Sequence, residues 1–405
     1  KNSDWNYVRL ANADAKLVIK NAKLTNSGNN NGPWNRHDIR FYNDVTLENA
    51  TSDKAIALLA DADLTNVVIS DVHPENGEAY ALWITAEGQT VNIKDCALLA
   101  HESKQTDRGI KIDNQYVNDG EAKVTLNVDG LKVKSQKKAA IMVKSKAGAD
   151  INIKNIDITE VAADKVNAVW VDSNAKQYAG LVSVTGASMV VEGVAPIEGE
   201  TTEDVQTALN AAVTTENAVV QLPAGEYTFP NNFAKGVTVI CEEGTVFNGK
   251  SSLNINGATV MGATFQSGSD DLAAYYSTIN GTYKNCVFNG DLKYSDAGDT
   301  VVFENCVFNG PDYALHFDSA VANSHVILKG CEVNSEWRVA IGAAVSMFEA
   351  IDTKFTVDGF INLWGKAKFT NCAFNKPYYW ICSMDYTEYT NCTCEGRALV
   401  ADDIR

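Results

Sequence analysis

The chain has 405 residues, 45% of them hydrophobic, and a formal net charge of −17 at pH 7. Residues 1–198 carry 22 basic against 26 acidic side chains, whereas residues 199–405 carry 12 against 25. A nucleic-acid-binding protein needs a basic surface, so the charge of the second half disfavours nucleic acid, and we expect no nucleic-acid partner. No apolar run reaches the roughly 20 residues of a transmembrane helix, and we interpret the start at Lys1, without a signal peptide, as processed or trimmed.

The first half repeats short β-branched segments that end in Asn, Asp or Gly and then resume with apolar residues. We place the turn positions at Asn21, Asn49, Asp71, Asp95, Gly130, Asn155 and Gly186. These residue types tolerate the positive φ angle that a sharp bend between two strands requires. The repetition predicts successive coils of a β-solenoid, with inserted loops where the steps are long and with hydrogen bonds between stacked Asn side chains.

Four of the predicted strands in this half carry a candidate site. Side chains alternate between the two faces of a strand, so we expect one inward column and two outward columns. The inward column is Leu82, Ile110, Ile141 and Val169. The outward columns are Trp83, Lys111, Met142 and Trp170, and beside them Thr85, Asp113, Lys144 and Asp172.

Exposed Trp rings beside charged groups suit a sugar chain, because flat apolar rings stack on pyranose faces while charged groups bond to hydroxyls. The sequence therefore predicts a glycan-binding surface made by Trp83, Lys111, Lys144, Trp170 and Asp172. The alternative is that a Trp lies in the core and that the charges are a solvated face.

A seam rich in Gly, Pro and Glu follows at residues 193–202, and the pattern predicts a helix at about residues 201–213. Thr201 and Asp204 are typical of a helix start, and Val205 and Leu209 follow at helical spacing. A solenoid must cover the open end of its first coil, so we interpret this helix as a cap. We expect two β-helical domains, at residues 1–198 and 199–405.

The second half repeats a clearer sequence motif, in which Asn-Cys precedes an apolar pair. Its repeat position falls at Cys286, Cys306, Cys331, Ile351, Cys372 and Cys392, in steps of 20, 25, 20, 21 and 20 residues. A period near 20 residues in β-rich segments indicates a solenoid. Because the cysteines recur at one repeat position, we expect a column of buried thiols acting as small hydrophobic side chains, with no disulfide framework and no metal site.

The start of the second half resembles bacterial proteins of the pectate-lyase-like right-handed β-helix superfamily. The similar segments are a short helix with Val205, Gln206 and Leu209, and the following strand-turn-strand from Val220 to Tyr227. The resemblance covers residues 201–405 and extends to residues 1–198 by periodicity only. It implies an all-β fold of two consecutive right-handed parallel β-helices. It does not imply one activity, because the superfamily contains lyases, hydrolases, esterases, tailspikes and non-catalytic surface proteins.

The second half offers fewer candidate site residues. We expect His316 and Asp318 to point outward, although at about 7 Å apart on one strand face they are too far apart to bond directly. Asn362 and Trp364 also fall on outward positions, and Tyr378-Tyr379-Trp380 forms a further aromatic cluster.

An enzymatic alternative remains open. A polysaccharide lyase needs clustered carboxylates that bind Ca²⁺ and a basic residue, and the nearest set is Asp113 and Asp172 with Arg108, Lys111 or Lys144. The resemblance would also allow a glycoside hydrolase acting on uronic-acid polysaccharide, but the chain contains neither His-Gly nor Asn-Thr-Asp, and Gly109 interrupts the Arg-Ile-Lys pattern of that family.

Our main prediction is a non-catalytic bacterial protein that is secreted or displayed at the cell surface. It would bind extracellular glycan, or mediate adhesion, through exposed parallel strand faces, without a cofactor.

Overall fold

The computed structural model describes residues 7–25, 39–72, 80–85, 87–100, 108–113, 122–134, 139–159, 167–249, 252–272, 278–294, 296–317, 324–342, 345–375, 381–383 and 385–399. The chain divides into two compact units, Lys1–Gly193 and Val194–Arg405. Both are built from parallel strands, as the repeats predict for a β-helix. No helix in the described ranges is long and apolar enough to cross a membrane.

Unit 1 contains two parallel sheets. Sheet I consists of Tyr7–Val8, Ile39–Phe41, Ile56–Leu58, Tyr80–Ile84, Arg108–Asp113, Ala139–Lys144, Val169–Val171 and Met189–Val191. Sheet II consists of Leu17–Lys20, Lys23–Leu24, Val45–Glu48, Thr51–Ser52, Ala62–Thr65, Val68–Val72, Thr90–Ala100, Val124–Lys134, Ala149–Ile153, Ile156–Thr159 and Val182–Thr185. A 3₁₀ helix, Ser173–Leu181, joins Val169–Val171 of sheet I to Val182–Thr185 of sheet II.

The bends of unit 1 follow the predicted chemistry at most positions, although Asn155 does not have a positive φ angle. Asn21, Asn49 and Asp95 have positive φ angles, as expected, but the third bend lies at Asn66 and not at Asp71. Asp71 lies inside the strand Val68–Val72. The Asn66 side chain donates to Asn49 Oδ1 at 2.8 Å, and Asn49 donates to Asn21 Oδ1 at 3.2 Å. The Asn side chains at successive bends therefore form a column in which each amide hydrogen-bonds to the next.

Unit 2 begins with one α-helix, α1, at Thr202–Ala212. Thr201 caps it: its Oγ1 accepts from the Asp204 backbone N at 3.2 Å, while Asp204 Oδ2 accepts from the Thr201 N at 3.0 Å. Val205 and Leu209 are buried in the core of the unit, and α1 contacts its first two strands. The predicted capping helix is thus present and covers the first coil with its apolar side.

Three sheets follow α1 in unit 2. Sheet III consists of Val219–Leu222, Thr238–Cys241, Leu253–Met261, Thr278–Lys284, Asp296–Glu304, Ser324–Lys329, Val345–Ile351, Ala367–Thr370 and Thr387–Thr390. Sheet IV consists of Gly225–Tyr227, Thr245–Asn248, Thr264–Asp271, Val287–Asp291, Val307–Gly310, Glu332–Ser335, Lys354–Val357, Ala373–Phe374, Thr393–Cys394 and Arg397–Ala398. Sheet V consists of Lys293–Tyr294, Tyr313–Phe317, Arg338–Ile341, Phe360–Leu363 and Ile381–Ser383. The last two strands of sheet IV pair antiparallel, and the other described strand pairs of the unit are parallel.

The cysteine column forms as predicted, with a correction to one repeat. Cys306 is fully buried, and its thiol donates to the carbonyl oxygen of Tyr283, on the preceding coil, at 3.4 Å. Burial raises the pKa of the Cys306 thiol, and the hydrogen bonds with Cys286 and Cys331 raise it further. In the fourth repeat the column position is Thr353 and not Ile351, because the Cys331 backbone N donates to Thr353 Oγ1 at 3.4 Å. The column is therefore a stack of small buried side chains.

Candidate functional site

The candidate columns of unit 1 lie in the predicted register. Trp83 pairs with Lys111, Lys111 with Met142, and Met142 with Trp170, on consecutive strands of sheet I. The inward column, Leu82 to Val169, is equally in register and has no exposed surface. The alternation and the stacking that we inferred from the sequence are confirmed.

The expected exposure of this surface is wrong. Trp83 and Lys111 are each only 5% exposed, and Trp170 is 7% exposed. Trp170 packs with Met142 and Ala139 in a small core of its own. Strands that are buried on both faces have nearly continuous apolar sequences, and the strands around Trp83, Met142 and Trp170 are of this kind. The rings of Trp83 and Trp170 are therefore packed side chains and are not available to a polymer.

The charged residues of this surface are also held inside the protein. Lys111 Nζ lies 2.9 Å from Asp113 Oδ2, and the two side chains are 7% and 1% exposed. Lys111 Nζ also lies 5.6 Å from the centre of the Trp83 ring, whose Nε1 donates to the Asp113 carbonyl oxygen at 3.3 Å. A buried charge must be paired to be tolerated, and here each charge has an opposite partner. The pair is a structural element of the fold.

The remaining predicted residues of unit 1 have separate positions. Asp172 is buried and caps the 3₁₀ helix. Its Oδ1 accepts hydrogen bonds from the backbone N of Asn174 at 3.0 Å and from the side-chain Nδ2 of Asn174 at 2.9 Å. Lys144 is half-buried and lies opposite Asp113 in the register. Arg108 pairs through its backbone with Tyr80 and Ala139, and its side chain lies outside the described residues.

The calcium site on which the lyase alternative depends gains no support here. Within the part of the chain that the structure describes, no group of three or more His, Cys, Asp and Glu side chains could hold a metal ion. Lys111 and Asp113, the proposed base and ligand, are occupied by each other.

Unit 2 presents large exposed aromatic rings on one of its sheets. We name it the aromatic face: the outward side of sheet V with the residues flanking its strands, Tyr313, His316, Trp337, Arg338, Phe360, Asn362 and Trp364. Trp337 is 46% exposed and Trp364 is 41% exposed. Exposed large rings on a rigid sheet are uncommon in a folded protein and indicate a surface that contacts something.

Sheet V sets the spacing of the aromatic face. Tyr313 pairs with Arg338, and Arg338 with Phe360, on three consecutive strands. The alternate positions Val339 and Ile341 are buried and hold the sheet against the core. Neighbouring strands are about 4.8 Å apart, so the five strands of the sheet span about 19 Å.

The side chains of the aromatic face support one another. The Tyr313 and His316 rings stack with centroids 4.6 Å apart and an angle of 17°. The Arg338 guanidinium lies 4.4 Å from the centre of the Tyr313 ring, which is a cation–π contact. The Trp337 and Phe360 rings meet edge to face at 6.0 Å. These contacts restrict the rotamers of the face before any ligand arrives.

The N-terminal end of sheet V is anchored by Lys293. Its Nζ lies 3.0 Å from Asp271 Oδ1, 3.0 Å from Asp291 Oδ2 and 3.6 Å from Asp312 Oδ2. Burial lowers the pKa of Lys293, but the hydrogen bonds with Asp291 and Asp271 outweigh it and raise that pKa above its ordinary value. Asp291 is fully buried and accepts from the backbone N of Tyr313 at 2.8 Å. Lys293 and Asp291 thus position the strand that carries Tyr313.

The sequence identified part of the aromatic face. Asn362 and Trp364 lie on the outward side, as predicted, and His316 is half-buried on the same side. Asp318 and the cluster Tyr378-Tyr379-Trp380 lie outside the described residues.

Trp337 and Arg338 were missed in the sequence. The sequence contained a signal that could have identified them, namely two similar apolar segments. Arg338 directly precedes Val339-Ala340-Ile341, just as Phe360 directly precedes Ile361-Asn362-Leu363. Placing the two segments on adjacent coils would have brought Arg338 beside Phe360 and Trp337 to the edge of the strand.

No family model matches the chain, and no curated protein or solved structure matches it either. The parallel β-helical fold is observed directly in the pairing of the strands, whereas the family resemblance depends on the sequence segments described above.

Proposed function

We propose that this protein is a non-catalytic carbohydrate-binding or adhesive protein that binds extracellular glycan through the aromatic face of unit 2. The observation that carries the proposal is the exposure of Trp337 and Trp364 on one preformed strand surface. This site replaces the surface predicted in unit 1, whose Trp rings are buried.

The chemistry of the aromatic face supports a sugar ligand. Trp337 and Trp364 offer flat apolar area, while Asn362 and Arg338 offer hydrogen-bond donors beside it. Trp337 lies at the start of one strand and Trp364 follows the end of the next strand along the sheet, because the Phe360 N donates to the Trp337 O and the Trp364 N donates to the Ile341 O. With about 3.3 Å per residue, the two Trp positions are separated by about 16 Å along the strand direction. An extended polymer is long enough to contact both.

A β-helical framework favours this use, because its strands hold side chains at fixed intervals on a surface that does not need to rearrange. We place the protein with the pectate-lyase-like superfamily on the strength of the segments Val205–Leu209 and Val220–Tyr227. That resemblance supports a bacterial protein that is secreted or displayed at the cell surface. Of the eight cysteines with described side chains, all are free and all but Cys241 are buried, which would protect the thiols from oxidation outside the cell.

The experiment is affinity electrophoresis in gels that contain polysaccharide, preceded by a glycan array to select the polymer. We expect the wild-type protein to be retarded by at least one glycan, and Trp337→Ala with Trp364→Ala to abolish the retardation. Tyr42→Ala is the matched control, because Tyr42 is an exposed ring, 37% accessible, in the other unit. Failure of the wild-type protein to bind any glycan, or full retardation of the double variant, would refute the proposal.

A further inference from the structure

A second surface of unit 2 lies beside the capping helix α1, at the start of the solenoid, whereas the aromatic face lies on later turns. Two adjoining hollows of about 460 Å³ and about 440 Å³ share Thr214, Asn231 and Asn232. We name them together the cap depression. Pockets of about 300–1,000 Å³ are the usual size for small ligands. Because the hollows share a wall, one elongated ligand can occupy both.

The cap depression has an unusual lining for an acidic protein. Its walls carry six amide side chains, Gln206, Asn210, Asn231, Asn232, Asn254 and Asn256. Buried apolar side chains, among them Val213, Phe229 and Phe233, complete the lining. None of the residues that line either hollow is charged. An ion therefore has no counter-charge here, and a neutral polar ligand fits the lining best.

One wall is fixed in place before binding. The Gln206 side chain links α1 to the following loop, because its Nε2 donates to the Thr228 O at 3.0 Å and its Oε1 accepts from the Thr228 N at 2.7 Å. The same Nε2 donates to Asn210 Oδ1 at 3.0 Å. On the far side, Asn256 Nδ2 donates to the Phe233 O at 3.2 Å. A preorganised wall reduces the conformational entropy lost on binding.

The shared part of the cap depression keeps its polar groups available. Asn231 and Asn232 are exposed, and within the described residues their amides make no hydrogen bond to the protein. Each amide offers two donors and an acceptor side by side. A sugar hydroxyl is likewise both a donor and an acceptor, so amides match it without requiring charge.

We propose that the cap depression is a binding site for a neutral oligosaccharide. A peptide bound along a free strand edge is the alternative occupant, which the trialanine control tests. The lining comes from α1, from the loop at residues 228–234 and from Asn254 and Asn256 on the strand Leu253–Met261, whose pairing with Thr238–Cys241 begins only at Thr259. Two strand spacings of sheet IV, or about 10 Å, separate the coil of Thr264–Asp271, which follows Asn254 and Asn256, from that of Val307–Gly310, which precedes Tyr313. The cap depression is therefore independent of the aromatic face.

The experiment titrates the full chain with neutral trisaccharides built from glucose, mannose or N-acetylglucosamine, followed by saturation-transfer NMR and calorimetry. Trigalacturonate is the charged control and trialanine is the peptide control. We expect at least one neutral trisaccharide to bind, and Asn231→Ala with Asn232→Ala to weaken it about tenfold or more. Asn289→Ala, an exposed asparagine on sheet IV, is the matched control.

The variants also separate this site from the aromatic face. Trp337→Ala with Trp364→Ala should leave trisaccharide binding to the cap depression unchanged, and the asparagine double variant should leave polymer retardation on the aromatic face unchanged. Both asparagines are exposed, so melting followed by circular dichroism should show intact folding. The proposal is wrong if no neutral trisaccharide binds, if binding survives in the asparagine variant, or if trialanine or trigalacturonate binds in place of the neutral sugars.

Discussion

The two units wind the same kind of parallel coil but fill it with different side chains. The described core of unit 1 is mainly aliphatic, with Ile, Leu and Val on the inward positions. The core of unit 2 is aromatic: Phe265 and Phe288 stack with centroids 4.8 Å apart, and Phe288 and Phe308 with centroids 5.1 Å apart. Adjacent parallel strands are about 4.8 Å apart, which is also a favourable distance for offset rings. A coil that repeats in register can therefore stack identical rings in file.

The outward faces of the units differ as well. Sheet I of unit 1 is buried on both sides along the strands that carry Trp83 and Trp170, whereas sheet V of unit 2 leaves Trp337 and Trp364 exposed. The same residue type thus has opposite roles: Trp83 and Trp170 stabilise the fold of unit 1, whereas Trp337 and Trp364 form a surface of unit 2. Position on the outward side of a strand does not by itself make a residue accessible.

The largest expected effect tests the aromatic core. Phe288→Ala removes a fully buried ring that contacts Phe265, Phe303 and Phe308, and we expect it to destabilise unit 2 by about 3–5 kcal/mol. Hydrogen exchange with mass spectrometry would show the loss in the strands of unit 2. Leu126→Ala, at a fully buried aliphatic position of unit 1, is the matched variant. An equal or larger loss for Leu126→Ala would show that stacked rings add nothing to the core.

The buried ion pair of unit 1 should give an effect of similar size. Lys111→Ala leaves Asp113 buried without its cation, and we expect a loss of about 3–5 kcal/mol in the free energy of unfolding. Lys111→Met with Asp113→Leu removes both charges and should recover most of that loss. Denaturant unfolding monitored by the fluorescence of the buried Trp residues would measure both. A Lys111→Ala variant of wild-type stability would restore the idea of an accessible, functional pair.

Substitution of an exposed Trp should reduce glycan binding, whereas substitution of a buried Trp should reduce stability. Trp364→Ala removes an exposed ring and should change the free energy of unfolding by less than about 0.5 kcal/mol, while glycan retardation falls. Trp83→Ala removes a ring that is 5% exposed and should cost about 3–5 kcal/mol. Thermal melting of both variants is the measurement. Comparable losses in the two would contradict the contrast between the units.

The smallest expected effect concerns pH. On the outer face of sheet II, Asp63 accepts from Asn92 Nδ2 at 2.9 Å and pairs with Lys16 at 2.9 Å. The hydrogen bond from Asn92, and then the one from Lys16, hold the pKa of Asp63 below its ordinary value. A lowered pKa in the folded state stabilises the protein above the pKa of an unfolded Asp, about 4, and this contribution is lost as the pH falls through the folded pKa.

Asp63→Asn should therefore weaken the loss of stability in acid below about pH 4. Since Asp63 is 43% exposed, the change should stay below about 0.5 kcal/mol. Unfolding measured at several pH values would detect it. On sheet IV, the hydrogen bond that Asn309 donates to Asn289 at 2.9 Å joins two uncharged amides, so Asn309→Ala should shift stability equally at every pH. If the stability of Asp63→Asn depended on pH in the same way as that of the wild type, Asp63 would not contribute to the loss of stability in acid.

The register of both units could be predicted from sequence because it depends on local rules. A turn residue that accepts positive φ, followed by alternating apolar positions, sets each coil, and this placed Trp83 beside Lys111 and Cys286 beside Cys306. The errors occurred where two turn candidates stood close together. Asn66 was passed over for Asp71, and Thr353 for Ile351, because hydrogen bonding between coils chooses among nearby candidates.

By itself, the sequence determined the winding of this protein: short strands, bends at Asn, Asp and Gly, and a helix that closes the start of unit 2. Only the tertiary structure decided which outward faces are accessible, burying Trp83 and Lys111 while leaving Trp337 and Trp364 exposed. The physical reason is that a coil is specified by neighbours along the chain and one step above or below, whereas exposure depends on every part of the chain that packs against the surface.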